Sequence, residues 1–187
     1  AHADSHRCFV GPSILAADPL NLGRAIRSVD NADFLHVDIM DDEFAPGMTW
    51  GTHTVRQLAR AGLPIEVHLM VADPARWAAE MVSAGADRIT FHIEATDDPA
   101  AVISLIRDSG CQVGLAVSPE TSLCRIAPFL LIVDALLVMT VEPGGGGTPM
   151  LPSAPERCCE ARDLLDSVGS IAMLGVDGGV NRDNIAR

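Results

Sequence analysis

Nowhere in the 187 residues is there an unbroken apolar run of the roughly 18 residues that a membrane-crossing helix needs, so no membrane-spanning part is expected. Basic residues are scarce as well: 13 Lys and Arg stand against 25 Asp and Glu, giving a formal net charge of −12. Without a basic stripe to neutralise phosphates, nucleic acid is not an expected partner, although a small anion held by backbone amides is compatible with that balance. The five cysteines, at positions 8, 111, 124, 158 and 159, contain no C-x-x-C pair. They are expected to be reduced, mostly buried thiols of a soluble, cytoplasmic protein, with Cys158 and Cys159 on two faces of one helix. The opening Ala1–Arg7 has no apolar h-region, so no secretory leader is expected there. No G-x-G-x-x-G follows the first apolar segment, which removes the main support for a dinucleotide-binding fold. Linkers and internal repeats are also missing, and the chain is expected to form a single domain over residues 1–187.

What the sequence does have is apolar segments of strand length alternating with helical patterns. Strands are expected at Cys8–Val10 resuming at Ser13–Leu15, and at Phe34–Met40, Pro64–Met70, Arg88–Ile93, Gln112–Val117, Ala135–Val141 and Ile171–Val176. Between them helices are expected near Leu20–Val29, His53–Ala61, Pro74–Ala84, Pro99–Ser109, Leu123–Phe129 and Ala154–Val168, with a last one from Asn181. Such alternation requires parallel strands, because each helix must return the chain across the sheet. Segments such as Ala135-Leu136-Leu137-Val138-Met139 are apolar on both faces, as strands covered on both sides must be. Polar residues (Ser13, His36, Asp38, His68, His92, Ser118, Thr140 and Asp177) recur near the C-terminal end of nearly every strand. A doubly wound sheet needs such groups mainly at one switch point, whereas a closed α/β barrel gathers all its strand ends around one mouth, so a barrel is favoured.

The stretch His36-Val37-Asp38-Ile39-Met40-Asp41 organises the rest. As a strand it puts His36, Asp38 and Met40 on one face. Alone, an H-x-D pattern reads more readily as a half-buried strand with a polar face toward water. Repetition changes the weight: Glu66-Val67-His68-Leu69-Met70 places His68 and Met70 on one face of another strand, and Val176-Asp177-Gly178-Gly179 ends a third with an acid. Two histidines and two aspartates at separate strand ends can converge on one metal ion. That donor set suits Zn2+, Fe2+, Mn2+ or Co2+ better than Ca2+.

Five segments, taken in order, resemble the successive motifs of the ribulose-phosphate 3-epimerase family: Pro12-Ser13-Ile14-Leu15-Ala16-Ala17-Asp18, Leu35 to Asp41, Val67-His68-Leu69-Met70-Val71, Val138-Met139-Thr140-Val141-Glu142-Pro143-Gly144, and Val176 to Asn181. The resemblance implies a (β/α)8 TIM barrel of the ribulose-phosphate-binding type. It also implies an enzyme that interconverts D-ribulose 5-phosphate and D-xylulose 5-phosphate with one divalent metal ion. It implies that His36, Asp38, His68 and Asp177 hold the metal, and that Asp38 and Asp177 are the catalytic acid and base. Inverting a carbon next to a ketone requires taking its proton to give an enediolate and returning one to the other face, and a carboxylate on each face is the simplest arrangement. A homo-oligomer is expected, and the small-molecule partner is a phosphorylated ketose.

Other positions carry open readings. Met40, Met70 and Met139 line the mouth, where polarisable thioethers pack on a planar intermediate, or they simply fill core. Ser13 bonds substrate or caps a strand end. His92 matches no metal ligand and either supports one from behind or is a satisfied core histidine. Gly144, Gly145, Gly146 and Gly147, between a strand and a helix, are expected to wrap a phosphate with backbone amides together with the following helix N-terminus, and Gly178 and Gly179 are expected to contact substrate. The resembled family usually carries an aromatic where this chain has Gly145, and glycine, histidine and asparagine at Asp42, Glu43 and Gly47. Those differences leave room for another ketose phosphate, such as allulose 6-phosphate, or for a barrel that binds without turnover. The eighth strand and helix of a complete barrel are not found in the 187 residues.

Overall fold

Six of the expected strands form, and they do so where both faces are apolar or carry paired polar groups. The computed structural model describes residues 7–185. Leu35–Met40 (β1), Ile65–Met70 (β2), Arg88–His92 (β3), Gln112–Val117 (β4), Ala135–Met139 (β5) and Met173–Asp177 (β6) make one parallel sheet in sequential order. The crossovers are α2 (Thr52–Leu58), α3 (Pro74–Ala84), α4 (Pro99–Asp108) and α5 (Ala154–Val168), and α1 (Leu22–Arg27) precedes β1. No helix among the described residues is long and apolar enough to cross a membrane.

Local chemistry sets these helix ends. Asp73 and Asp98 accept from the amides of Arg76 and Ala101, each at 3.1 Å, and a proline opens the first turn of both α3 and α4. Gly85 and Gly169 close α3 and α5 in left-handed conformations, φ 101° and 69°, that other residues adopt only at a cost.

Alternation along the strands separates two environments. Leu35, Val37, Ile39, Val67, Leu69, Ile89, Phe91, Leu115 and Val138 face the helices and pack with Val55, Met81, Ile106 and Leu165 into one apolar layer. The opposite face holds buried polar groups: His36, Asp38, Glu66, His68, Thr90 and His92. Parallel register aligns Asp38 with His68, His68 with Thr90, and Met139 with Asp177. In a flat sheet, edge strands five spacings apart would stand roughly 24 Å from each other. Here His36 Nε2 of β1 lies 3.7 Å from Asp177 Oδ2 of β6. The sheet therefore curls into a partial barrel with its polar face inward, six strands against the eight of a complete (β/α)8 barrel.

Several expectations are corrected. The first expected strand is not one: Ser13 makes a single parallel bridge to His36, and Ile14–Ala16 is a short 3-10 helix capped by the Ser13 side chain. Pro12 has no amide to give a ladder, although its carbonyl accepts from His36 N at 3.0 Å. Pro128 breaks the expected Leu123–Phe129 helix into two 3-10 turns, Leu123–Arg125 and Ala127–Phe129. The helix expected from Asn181 is a turn over the described residues, and positions 186–187 lie outside them. The cysteines are free as expected, but Cys8, Cys124 and Cys159 are exposed and Cys111 and Cys158 only partly buried. Neighbours on a helix lie about 100° apart, so burying part of Cys158 turns Cys159 to solvent.

Candidate active site

The four residues expected as metal ligands come together. His36 Nε2, Asp38 Oδ1, His68 Nδ1 and Asp177 Oδ2 belong to a group whose ligand atoms all lie within 4.8 Å of one another. The shared carboxylate oxygen of Asp38 is 3.2 Å from His36 Nε2 and 3.0 Å from His68 Nδ1. The Asp177 oxygen lies 3.7 Å and 3.5 Å from the same two nitrogens. Donors bound at about 2.0–2.2 Å to one cation stand roughly 3.0–3.6 Å apart, so these spacings fit a single ion, and the donor set is that of a transition metal. The Asp177 side chain is 28% exposed and the other three at most 6%, so access to the centre runs past Asp177.

Electrostatics agree with geometry. Burial pushes the His36 imidazole down, but hydrogen bonds to Asp177, Asp38 and Glu66 outweigh it and hold the ring well above its ordinary pKa. His68 is raised, against its burial, by Asp177 and Asp38. Burial would raise Asp38 and Asp177, yet the two imidazoles hold both well below the usual carboxylate range. Two imidazoles whose protons are held by two carboxylates, all but Asp177 buried, are a set in which a divalent cation can take the place of protons.

Residues behind the ligands complete the site, and two of them were not foreseen from the sequence. Glu66 is buried on β2, its Oε2 3.2 Å from His36 Nδ1 and its Oε1 accepting from Thr90 Oγ1 at 3.0 Å. His92 Nε2 is 2.9 Å from His68 Nε2, and its Nδ1 is 3.2 Å from Glu94 Oε2. Burial drives His92 down to about 4 despite Glu94, so this ring is neutral. Glu94 is held down to about 2, burial being outweighed by hydrogen bonds from His92, Thr121 and the Ser118 amide. Ser13 both caps its turn and donates to Asp38 Oδ2 at 2.6 Å.

The profile of the family described as Ribulose-phosphate 3 epimerase matches residues 9–187. The chain belongs to the ribulose-phosphate 3-epimerase family. It is 41% identical over 178 residues to the ribulose-phosphate 3-epimerase of Mycobacterium bovis, covering 95% of this chain and 78% of that protein. The Buchnera aphidicola enzyme of the same name is 39% identical over 185 residues, covering 97% and 81%. The fold is that of TIM-barrel proteins: a mutant tryptophan synthase α-subunit from Pyrococcus furiosus superposes with a TM-score of 0.65 at 14% identity, over 90% of this chain and 76% of that one. Like its family, the chain is an epimerase, an isomerase of carbohydrate metabolism.

Within this epimerase the remaining expected residues fall around the mouth in three places. Met40 and Met70 are buried together with Ala45 against Phe44, whereas Met139 packs separately with Ala116 and Leu137, so the methionines are two groups and not one lining. Gly144 to Gly147 form two consecutive turns, Gly145 N to Glu142 O at 2.9 Å and Thr148 N to Gly145 O at 3.0 Å, with Gly144 and Gly147 at φ 83° and 80°. The amides of Gly144, Gly146 and Gly147 donate to no other group among the described residues. The helix that follows begins at Ala154, as expected, and residues 149–153 separate it from these turns, so its N-terminus does not adjoin them. Gly178 and Gly179, φ 116° and 65°, pack tightly on the loop after β5: a Cβ on Gly178 would strike the Val141 side chain, and one on Gly179 the backbone at Met150. Thr140 Oγ1 ties the two loops by donating to the carbonyls of Asp177 and Gly178.

The departures near β1 are accommodated. Asp42 takes a left-handed backbone, φ 63°, and its Oδ1 accepts from Gly47 N at 2.7 Å. Asp41 anchors the same loop, accepting from Glu43, Phe44 and Ala72 amides. A cavity of about 500 Å3 opens at the N-terminal end of the strands, lined by Phe34, Ile65, Arg88 and Gln112 among others, and it reaches Glu66 behind His36.

Proposed function

We propose that the chain inverts C3 of a ketopentose phosphate, interconverting D-ribulose 5-phosphate and D-xylulose 5-phosphate, with one divalent transition metal. The observation that carries this reading is the convergence of Asp38 and Asp177, from the two edge strands, on one pair of imidazoles. His36, Asp38, His68 and Asp177 hold the ion, one of Zn2+, Fe2+, Mn2+ or Co2+. When bound, the cation supplies Lewis-acid charge beside the substrate's oxygens.

The chain's own groups then do the proton chemistry. Asp38 and Asp177 belong to strands at opposite edges of the curled sheet. A flat enediolate placed between them has a carboxyl group on each face: the ionised one takes the C3 proton, and the other, carrying a proton in the substrate complex, gives that proton to the opposite side, the two exchanging roles in the reverse direction. Ser13 holds Asp38 Oδ2 so that the carboxylate cannot swing away. Met40, Met70 and Met139 supply polarisable surface around the mouth, and Gly144, Gly146 and Gly147 present free amides to the phosphate. Gly178 and Gly179 hold that loop against the strand end carrying Asp177.

A second reading, epimerisation of another ketose phosphate such as allulose 6-phosphate, draws on the added acid at Asp42 and Glu43 near the mouth. Coupled assays on both substrates decide between them, with and without prior treatment by a strong chelator. Chelator-sensitive turnover of ribulose 5-phosphate is expected. Full turnover in rigorously metal-free protein would remove the metal from the mechanism.

A further inference from the structure

Each imidazole of the cluster is backed by a different kind of group. Behind His36 is a carboxylate, Glu66; behind His68 is a second imidazole, His92. A carboxylate can only accept. An imidazole can donate or accept at the same nitrogen, so it does not by itself dictate which nitrogen of His68 is protonated. The contact between His68 Nε2 and His92 Nε2, 2.9 Å, therefore needs one of the two nitrogens to carry the hydrogen and the other to lack it.

The rest of the chain of contacts resolves that choice. His92 Nδ1 is 3.2 Å from Glu94 Oε2 and 3.3 Å from Ser118 Oγ. Glu94 is itself fixed by the Ser118 amide, which donates to its Oε1 at 2.9 Å. An ionised carboxylate accepts only, so Nδ1 of His92 bears the hydrogen and Nε2 bears the lone pair. His68 Nε2–H then donates to His92, and His68 Nδ1, facing Asp38 and Asp177, is left to bind a cation. Resting on the metal reading above, we infer that His92 is a positioning residue for His68, held in one tautomer by Glu94, and that this relay presents the Nδ1 lone pair to the metal. The arrangement runs Glu94 carboxylate, Nδ1–H of His92, Nε2 of His92, Nε2–H of His68, Nδ1 of His68. His92 ends β3 and Glu94 lies on the turn after it, and His92 is sandwiched between His68 (ring centroids 5.1 Å apart) and Phe44 (4.8 Å).

A ring that only filled this space would be replaceable by phenylalanine. The full chain is loaded with Co2+, and affinity is measured by competition with a chelating dye for the wild type and for His92→Phe, His92→Gln and Glu94→Leu. His92→Phe keeps the stack and loses the acceptor, so Co2+ affinity is expected to fall about 10- to 100-fold. His92→Gln returns an acceptor oxygen and is expected to recover most of the loss. Glu94→Leu removes the acceptor of the His92 Nδ1 hydrogen, which frees His92 to turn a hydrogen toward His68 and should weaken Co2+ in the same sense. NMR of the Co2+ protein supplies the second readout. The ring N–H of His36, bonded to Glu66, should stay protected from solvent exchange in every variant, while that of His68 should exchange rapidly in His92→Phe and be protected again in His92→Gln. Wild-type affinity and a protected His68 N–H in His92→Phe or Glu94→Leu would overturn the relay. Failure of the wild-type chain to bind Co2+ at all would overturn the metal reading itself, which is a different result.

Discussion

Replacing Glu66 with glutamine removes one buried charge from behind His36 with almost no change in shape. In the wild-type chain the carboxylate accepts from Thr90 Oγ1, pairs with His36 Nδ1 and lies 3.6 Å from Arg88 Nη1. Glutamine has one oxygen for these three donors, and its amide must face either His36 or Arg88. Losing a buried, charge-assisted hydrogen bond costs about 1.5–3 kcal/mol, which for a chain of this size lowers Tm by roughly 3–12 °C. The pH window has a definite sign. Glu66 is lowered, burial being outweighed by His36 and Arg88, so its contribution is present above the ordinary carboxylate pKa and fades as pH falls through the lower folded value. His36 is raised, so its contribution is full below the ordinary imidazole pKa and fades as pH rises through the higher folded value. In metal-free protein the penalty of Glu66→Gln is therefore greatest at mildly acid to neutral pH and shrinks toward both extremes. Urea unfolding of both metal-free proteins across that range measures it. Parallel stability curves, with no pH-dependent gap, would show that Glu66 and His36 are not paired as described.

Three further outcomes follow from the site. Metal binding near neutral pH should release protons, because His36 and His68 are held protonated without a cation and must lose a proton to bind one; calorimetry in buffers of different ionisation enthalpy reads the number, and zero release contradicts the assignment. Gly178→Ala forces a side chain into a left-handed position against Val141 and should cost about 2–4 kcal/mol, seen as a fall in Tm, so an unchanged Tm would refute the packing of the two loops. Gly146→Val, at a position with no positive φ, should fold normally but block the amides of its turn, and inorganic phosphate binding that survives the change would place the phosphate elsewhere.

Much of the fold was legible because it is written locally. The bounds of α3 and α5 agree with the sequence reading residue for residue, since Asp73-Pro74 and Gly85, and Pro155 and Gly169, mark their ends. The inward set His36, Asp38 and His68 was legible from the two-residue period, and Asp177 from the strand-ending Asp-Gly-Gly. Glu66 was missed although the same period places it on the face of His68, two residues on; a charged residue on an enclosed face needs a partner, and that was the available signal. Glu94 left no such trace, because its role depends on the 3-10 turn that brings it back to His92. The first strand failed for a different reason: Ser13 pairs with β1 at one point only, which no run of apolar residues distinguishes from a ladder. The exposed cysteines are a matter of loop path and helix phase, set by tertiary packing.

The measurement closest to the central claim is solvent-deuterium incorporation at C3 by Asp177→Asn, followed from each epimer separately at a metal content matched to the wild type. If Asp38 and Asp177 serve opposite faces of one enediolate, epimerisation falls by roughly 10^2- to 10^4-fold while proton wash-out persists from one epimer only. A variant with normal metal content and near-normal epimerisation in both directions would show that the second proton comes from another group, and the two-aspartate mechanism would be wrong.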